Sequence, residues 1–180
     1  RLKPGASIET VLKALDKLVT QGKVRHIGAS SMYAWKFMQG LGISDRKGQA
    51  RFVAMQNLYN LLYREEEREM VPLCEEEGVS MIPWSPLARG ILARADVPDE
   101  QTDRSEVDPF VELFRTKADR EIVAEVKQIA GKRDVKPAQV ALAWLLVKPA
   151  VAAPIVGASK LSHLEDAVAV EEKEASRENI

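Results

Sequence analysis

Four short apolar runs in this 180-residue chain end in residues suited to binding rather than packing. Val24 to Ala29 closes in Gly28-Ala29-Ser30-Ser31. Phe52 to Gln56 ends in a glutamine and leads into Asn57-Leu58-Tyr59-Asn60. Val79 to Trp84 runs on into Ser85-Pro86-Leu87-Ala88-Arg89-Gly90. Ala152 to Val156 is followed by Gly157-Ala158-Ser159-Lys160. Hydroxyls such as Ser30 and Ser31, and the Gln56 amide, can grip a carboxamide group. Trp84 offers a flat apolar face on which a ring can stack. Gly157, just ahead of an expected helix, lets backbone N–H groups approach a phosphate at the helix N-terminus. Each position also has an ordinary reading. A serine at a strand end often caps a helix, Gln56 can satisfy backbone groups, Trp84 can be core, and Gly157 can be plain turn chemistry. Recurrence at successive strand ends is what favours the functional reading.

The elements needed to place these turns are legible from periodicity. Ser7 is an expected N-cap, and Ile8, Val11, Leu12, Leu15, Leu18 and Val19 recur at helical spacing until Gly22. Further helices are expected at Ala34 to Leu41, Glu65 to Glu77 (ended by Gly78), Arg120 to Arg133 and Lys136 to Lys148, with Pro137 in the first turn of the last. A final helix starts at Leu161. The stretch from about Ala93 to Asp108 is too long for an ordinary connection and reads as a functional loop. Short, nearly all-apolar strands separated by helices demand a parallel sheet with crossover helices. Either a doubly wound sheet or part of an eight-stranded barrel satisfies this, and ligands bind at the carboxyl ends of the strands in both. No Gly-x-Gly-x-x-Gly turn is present, which weakens the dinucleotide-binding doubly wound option.

Composition narrows the class. The chain is 46% hydrophobic and 29% charged with a net charge of -1, ordinary for a globular domain. Its charges alternate, so nucleic acid and anionic membrane surfaces are not expected partners. The Arg64-Glu65-Glu66-Glu67-Arg68-Glu69 run reads as a solvated helix face. No apolar run is long enough to cross a bilayer. A single cysteine, Cys74, excludes an intrachain disulfide and suits a cytoplasmic setting; its apolar neighbours suggest a buried structural thiol. The chain begins at Arg1 without a signal-peptide pattern. It is therefore expected to be one domain cut from a longer protein, and the polar stretch Glu171 to Ile180 leaves a second cut point open.

Four segments carry a family resemblance. Gly28-Ala29-Ser30-Ser31 looks like a Gly-Ala-Ser-Asn turn. Met55-Gln56-Asn57-Leu58-Tyr59-Asn60 resembles a Gln-Asn-x-Tyr-Asn segment. Pro83-Trp84-Ser85-Pro86-Leu87-Ala88-Arg89-Gly90 resembles Pro-Trp-Ser-Pro-Leu-x-x-Gly, and Pro154-Ile155-Val156-Gly157-Ala158 resembles a final Pro-x-x-Gly-Ala/Thr strand. In this order and spacing, from about Ile8 to Val168, they identify the chain as similar to the aldo-keto reductases, near the bacterial YajO-like members.

The resemblance implies the carboxy-terminal part of a (β/α)8 barrel, with the first strands missing. It implies NADP as cofactor, with Ser30, Ser31 and Gln56 at the nicotinamide carboxamide and Trp84 stacked on its ring. Ser85, Leu87 and Arg89 would line the pyrophosphate, and Gly157, Ser159, Lys160, His163 and Asp166 the adenosine end. Ser31 stands where asparagine is usual, His163 where glutamine or arginine is usual, and Ala167 where asparagine is usual. The implied reaction is hydride transfer between NADPH and an aldehyde or ketone, a small-molecule carbonyl substrate. The family's catalytic aspartate, tyrosine, lysine and histidine all lie earlier than Arg1, so no catalytic residue is assigned. Tyr33, Tyr59 and Tyr63 are not expected to substitute, and His26 reads as a structural mid-strand residue. An alternative implied by the same resemblance is a regulatory nucleotide-binding subunit of the potassium-channel beta type.

Overall fold

The computed structural model describes residues 7–94, 114 and 116–174. Helices and parallel strands alternate: α1 (Ile8–Thr20), β1 (Ile27–Ser30), α2 (Ala34–Lys47), β2 (Phe52–Gln56), α3 (Met70–Glu76), β3 (Ser80–Met81), α4 (Ile91–Arg94), α5 (Lys117–Arg133), α6 (Pro137–Leu146) and α7 (Leu161–Glu174). The sheet has the order β1-β2-β3, all parallel. A further segment lies against β3 through parallel bridges at Met81–Val151 and Trp84–Ile155. This arrangement is part of a (β/α)8 barrel, with the helices outside the strands.

Helices pack on one face of the sheet. Leu12 of α1, Phe37 and Leu41 of α2, and Met70 and Cys74 of α3 are buried in one cluster with Phe52, Met55 and Met81 of the strands. Phe37 and Phe52 stack with ring centroids 5.9 Å apart. A second cluster joins Leu58 to Ile91 and Leu92 of α4, Val123 and Val126 of α5, and Ala141 of α6. Next to Phe52, Val53 alternates away from the helices and is 43% exposed. Among the described residues, no helix is long and apolar enough to cross a membrane.

Several boundaries differ from the sequence reading, for local reasons. β1 begins at Ile27, not Val24, because the N–H groups of Lys23 and Val24 both donate to the Leu18 carbonyl and close α1. His26 is therefore an exposed residue ahead of the strand rather than within it. Ser7 occupies the N-cap position of α1 but makes no side-chain cap bond; its carbonyl accepts from Val11 N–H at 3.2 Å. The expected helix from Glu65 to Glu77 is split into a 3-10 turn, Glu65–Glu67, and α3. Pro72 lies in the first turn of α3, and its ring would clash with the Arg68 carbonyl in a continuous helix. The expected strand Val79 to Trp84 forms a ladder only at Ser80–Met81, and the expected fourth strand, Ala152 to Val156, makes isolated bridges instead of a ladder. Pro83 and Pro154 each lack the N–H that a ladder needs. By contrast α2 runs past Leu41 to Lys47, where Gly48 ends it at φ +59°. α5 begins at Lys117, three residues earlier than expected, behind a capping box in which Thr116 and Asp119 bond each other's backbone N–H. Beyond Arg94, the expected functional loop lies outside the described residues.

Candidate functional site

Ser30 pairs with Gln56 at the carboxyl ends of β1 and β2. One residue on, Ser31 takes a left-handed φ of +36°. Its N–H donates to the Gln56 carbonyl at 3.1 Å and to Asn57 Oδ1 at 3.2 Å. Trp84 is bridged to Leu58 on one side and to Ile155 on the other, and its N–H donates to the Asn57 carbonyl at 2.9 Å. Ser30, Gln56, Trp84 and the approach to Gly157 therefore share one end of the sheet.

A cavity of about 1050 Å³ opens at this end. Trp84, Ser85, Leu87 and Arg89 line it on the β3 side, and Gly157, Ser159, His163 and Asp166 line it on the α7 side. Ser30, Ser31 and Gln56 are not among the residues that line it; they lie at the neighbouring strand ends, next to the Asn57–Trp84 connection. Lys160 is exposed beside it, one residue ahead of α7.

The turn after Trp84 is built from unusual backbone. Ser85, Ala88 and Arg89 adopt φ of +53°, +45° and +58°, and Gly90 follows at +97°. Left-handed non-glycine residues cost on the order of 1–3 kcal/mol each and gather at ligand clamps. Internal bonds hold the turn: Ser85 Oγ accepts from Arg89 N–H at 3.1 Å, Ala88 N–H donates to the Ser85 carbonyl at 3.0 Å, and Gly90 N–H to the Leu87 carbonyl at 2.8 Å.

On the opposite wall, the Asp166 carboxylate is engaged by Lys136 Nζ at 2.6 and 2.7 Å. Its main-chain carbonyl accepts from Gln139 Nε2 at 3.1 Å. These contacts tie α7 to the start of α6 and leave Asp166 acting as an anchor of the wall. Lys136 itself lines the cavity, as do Arg94 and Ser162. Sequence reasoning did not single these three out. Lys136 was legible only as the residue before Pro137, and nothing in sequence spacing brings it opposite Ser85.

Tyr59, Tyr63 and Cys74, away from the cavity, are shifted mainly by burial. Tyr59 is 1% exposed and its hydroxyl donates to Glu67 Oε1 at 2.8 Å; burial first, then the neighbouring carboxylate, pushes its pKa far up. Burial also raises Tyr63. Tyr33 is exposed. None of the three lines the cavity. Burial pushes the Cys74 thiol up to about 11, as a packed, unreactive cysteine requires. Among the described residues, no group of His, Cys, Asp and Glu is placed to hold a metal.

Comparison with known proteins identifies the family. The Aldo/keto reductase family model matches residues 1–180, and the chain belongs to that family. It is 44% identical over 165 residues to versiconal hemiacetal acetate reductase of Aspergillus parasiticus, covering 89% of this chain and 48% of that protein. It is 42% identical over 183 residues to an aldo-keto reductase of Fusarium vanettenii, covering 99% of this chain and 48% of that protein. A Schizosaccharomyces pombe protein named among the aryl-alcohol dehydrogenases is 44% identical over 181 residues, covering 100% and 51%. These relatives are fungal, where the motif details point to bacterial members. The chain spans about half the length of each of them.

Proposed function

We propose that this chain is the cofactor-holding part of an NADP(H)-dependent reductase acting on an aldehyde or ketone. The observation that carries the reading is the cavity at the carboxyl end of the strands, walled by the left-handed Ser85–Gly90 turn and by the start of α7. Family membership supports an oxidoreductase, and the names of its relatives include reductases and dehydrogenases.

The residues present fit such a cofactor. Trp84 lines the cavity for a ring, Ser85, Leu87 and Arg89 line it for a pyrophosphate, and Ser159 and Lys160 stand at a helix N-terminus. A 2′-phosphate calls for a cation and short polar donors, which Lys160 and Ser159 supply. The bound cofactor would supply the hydride. Ser30, Ser31 and Gln56 would grip the carboxamide and so fix which face of the nicotinamide meets the carbonyl. Proximity and orientation of this kind supply a large share of such a rate enhancement. Proton donation is assigned to groups outside this chain, since Tyr33, Tyr59 and Tyr63 do not line the cavity and burial makes Tyr59 and Tyr63 weaker acids. A cytoplasmic setting belongs to the same reading.

The test is a pair of measurements on the full-length protein. Saturable quenching of tryptophan fluorescence by NADPH, together with NADPH oxidation by simple aldehydes, is the expected result. No saturation by NADPH would overturn the cofactor assignment. Saturation without turnover on any carbonyl would favour the regulatory-subunit alternative.

A further inference from the structure

Two asparagines in the segment leaving β2 are fully buried, and each reaches across to a different neighbouring turn. Asn57 accepts the Ser31 N–H at Oδ1, 3.2 Å away, while its Nδ2 donates to Glu66 of the 3-10 turn. Its own carbonyl accepts the Trp84 N–H at 2.9 Å. Asn60 uses Oδ1 to accept from the N–H groups of Leu62 and Tyr63, both at 2.9 Å, and its Nδ2 donates to the Ser85 carbonyl at 3.0 Å. The two backbone groups caught this way belong to Ser31 and Ser85, both non-glycine residues at positive φ, +36° and +53°. A serine in the left-handed region is strained, and a bond to its backbone offsets part of that strain. A buried amide satisfied at both ends is a stiff strut, since breaking either end leaves a buried polar group unpaired.

We infer that Asn57 and Asn60 are positioning residues, acting through Ser31 and Ser85 to hold the two flanking cofactor turns in register with Trp84. The inference rests on the cofactor reading above for its functional consequence, but its structural content does not. Neither asparagine lines the cavity, so neither is expected to touch the cofactor. Glu66, half-buried and with its carboxyl pKa raised by desolvation, is the outer anchor of the Asn57 strut.

The experiment is a double-mutant cycle in the full-length protein, pairing Asn57→Ala with Ser31→Gly. Glycine tolerates the left-handed conformation unaided, so it removes the need for the strut. Strain of 1–2 kcal/mol at one left-handed residue corresponds to roughly a tenfold change in an equilibrium. Asn57→Ala should therefore weaken NADPH binding roughly tenfold in the parent background and about twofold or less on Ser31→Gly. A merely structural asparagine would lower the melting temperature equally in both backgrounds and leave the two binding ratios the same, and that outcome overturns the inference. Asn60→Ala is the second variant: it removes the donor to the Ser85 carbonyl, and with it the acceptor for Leu62 and Tyr63, without placing a charge there. It should weaken NADPH binding on its own, and lose most of that effect on Ser85→Gly. Hydrogen exchange of the Ser31 amide, followed without cofactor, separates the two readings. Faster exchange in Asn57→Ala supports the strut even if NADPH never binds, and unchanged exchange overturns it whatever NADPH does.

Discussion

Trp84 is half in the sheet and half in the cavity. Its backbone bridges Leu58 and Ile155, its N–H is taken by the Asn57 carbonyl, and its side chain packs against the cluster around Leu58 while edging the cavity. A stacked aromatic contributes on the order of 1 kcal/mol beyond its buried area. Trp84→Ala in the full-length protein should therefore weaken NADPH binding by roughly fivefold to tenfold in a fluorescence or calorimetric titration. Unchanged affinity would remove the indole from the site. Lys160 is exposed at the head of α7, where a phosphate ligand has the helix N-terminus behind it. Lys160→Ala should reduce the preference for NADPH over NADH, measured as the ratio of the two dissociation constants, with NADH binding little altered. A ratio equal to that of the parent would show Lys160 to be an ordinary solvated lysine.

A capping box at the start of α5 and a charged cluster around Glu67 help hold the elements in place. Thr116 accepts from Asp119 N–H at 3.1 Å, and Asp119 Oδ2 takes the Thr116 N–H at 2.8 Å and its hydroxyl at 2.7 Å. α5 leads Val123 and Val126 into the second core cluster, so its start sets the register of that packing. Thr116→Ala should cost about 1 kcal/mol in chemical denaturation, with the loss confined to stability and NADPH affinity kept. The 3-10 turn at Glu65–Glu67 carries the other anchor. Glu67 accepts from Arg64 Nε and Nη2 at 3.0 and 2.7 Å and from the Tyr59 hydroxyl. The Arg64 guanidinium, with Tyr59 helping, holds the Glu67 carboxyl below its ordinary pKa, against a smaller opposing effect of burial. A carboxylate with a depressed folded pKa contributes stability that is present above its unfolded pKa and lost as pH falls through the folded one. The parent protein should therefore lose melting temperature between about pH 5 and pH 3 more steeply than Glu67→Gln. Parallel curves for the two would remove Glu67 from the acid response.

Among the described residues, helices cover one side of the sheet while the other side stays open: Val53 and Ile155 are each 43% exposed. Among them β1 pairs with β2 alone, and β3 meets the 151–155 segment through isolated bridges. Unpaired edges and a bare apolar face are features that closed barrels remove. Residues 1–180 expressed alone should therefore melt broadly or associate, and should oxidise NADPH with an aldehyde no faster than background. A monomer with a sharp cooperative transition would show that the open face costs less than its exposure implies. Turnover well above background would overturn the assignment of proton donation to groups outside the chain.

How much of this was legible in the residues themselves follows from the range of the forces involved. Helix stripes such as Leu12-Leu15-Val19 and the glycine stops at Gly22 and Gly78 depend on neighbours within a few positions, and they were readable. So were the parallel α/β class and the strand-end turns, because alternating apolar strands and helices leave few ways to bury both. Strand lengths were not, since a ladder needs a partner's N–H. Pro83 and Pro154 lack the N–H outright, but which pairing that costs depends on the strand they meet, and the Val24 N–H is taken only when the turn after α1 closes. The cavity wall was half legible. Ser85 and Ser159 declare themselves as turn residues, but Lys136 and Asp166 become neighbours only when α6 packs on α7, thirty positions apart. Asn57 and Asn60 were visible as members of a motif, yet a buried strut and a solvated turn asparagine look alike in sequence. Only the tertiary structure, by excluding water and presenting the Ser31 N–H and the Ser85 carbonyl, decides that these two amides hold neighbouring turns together.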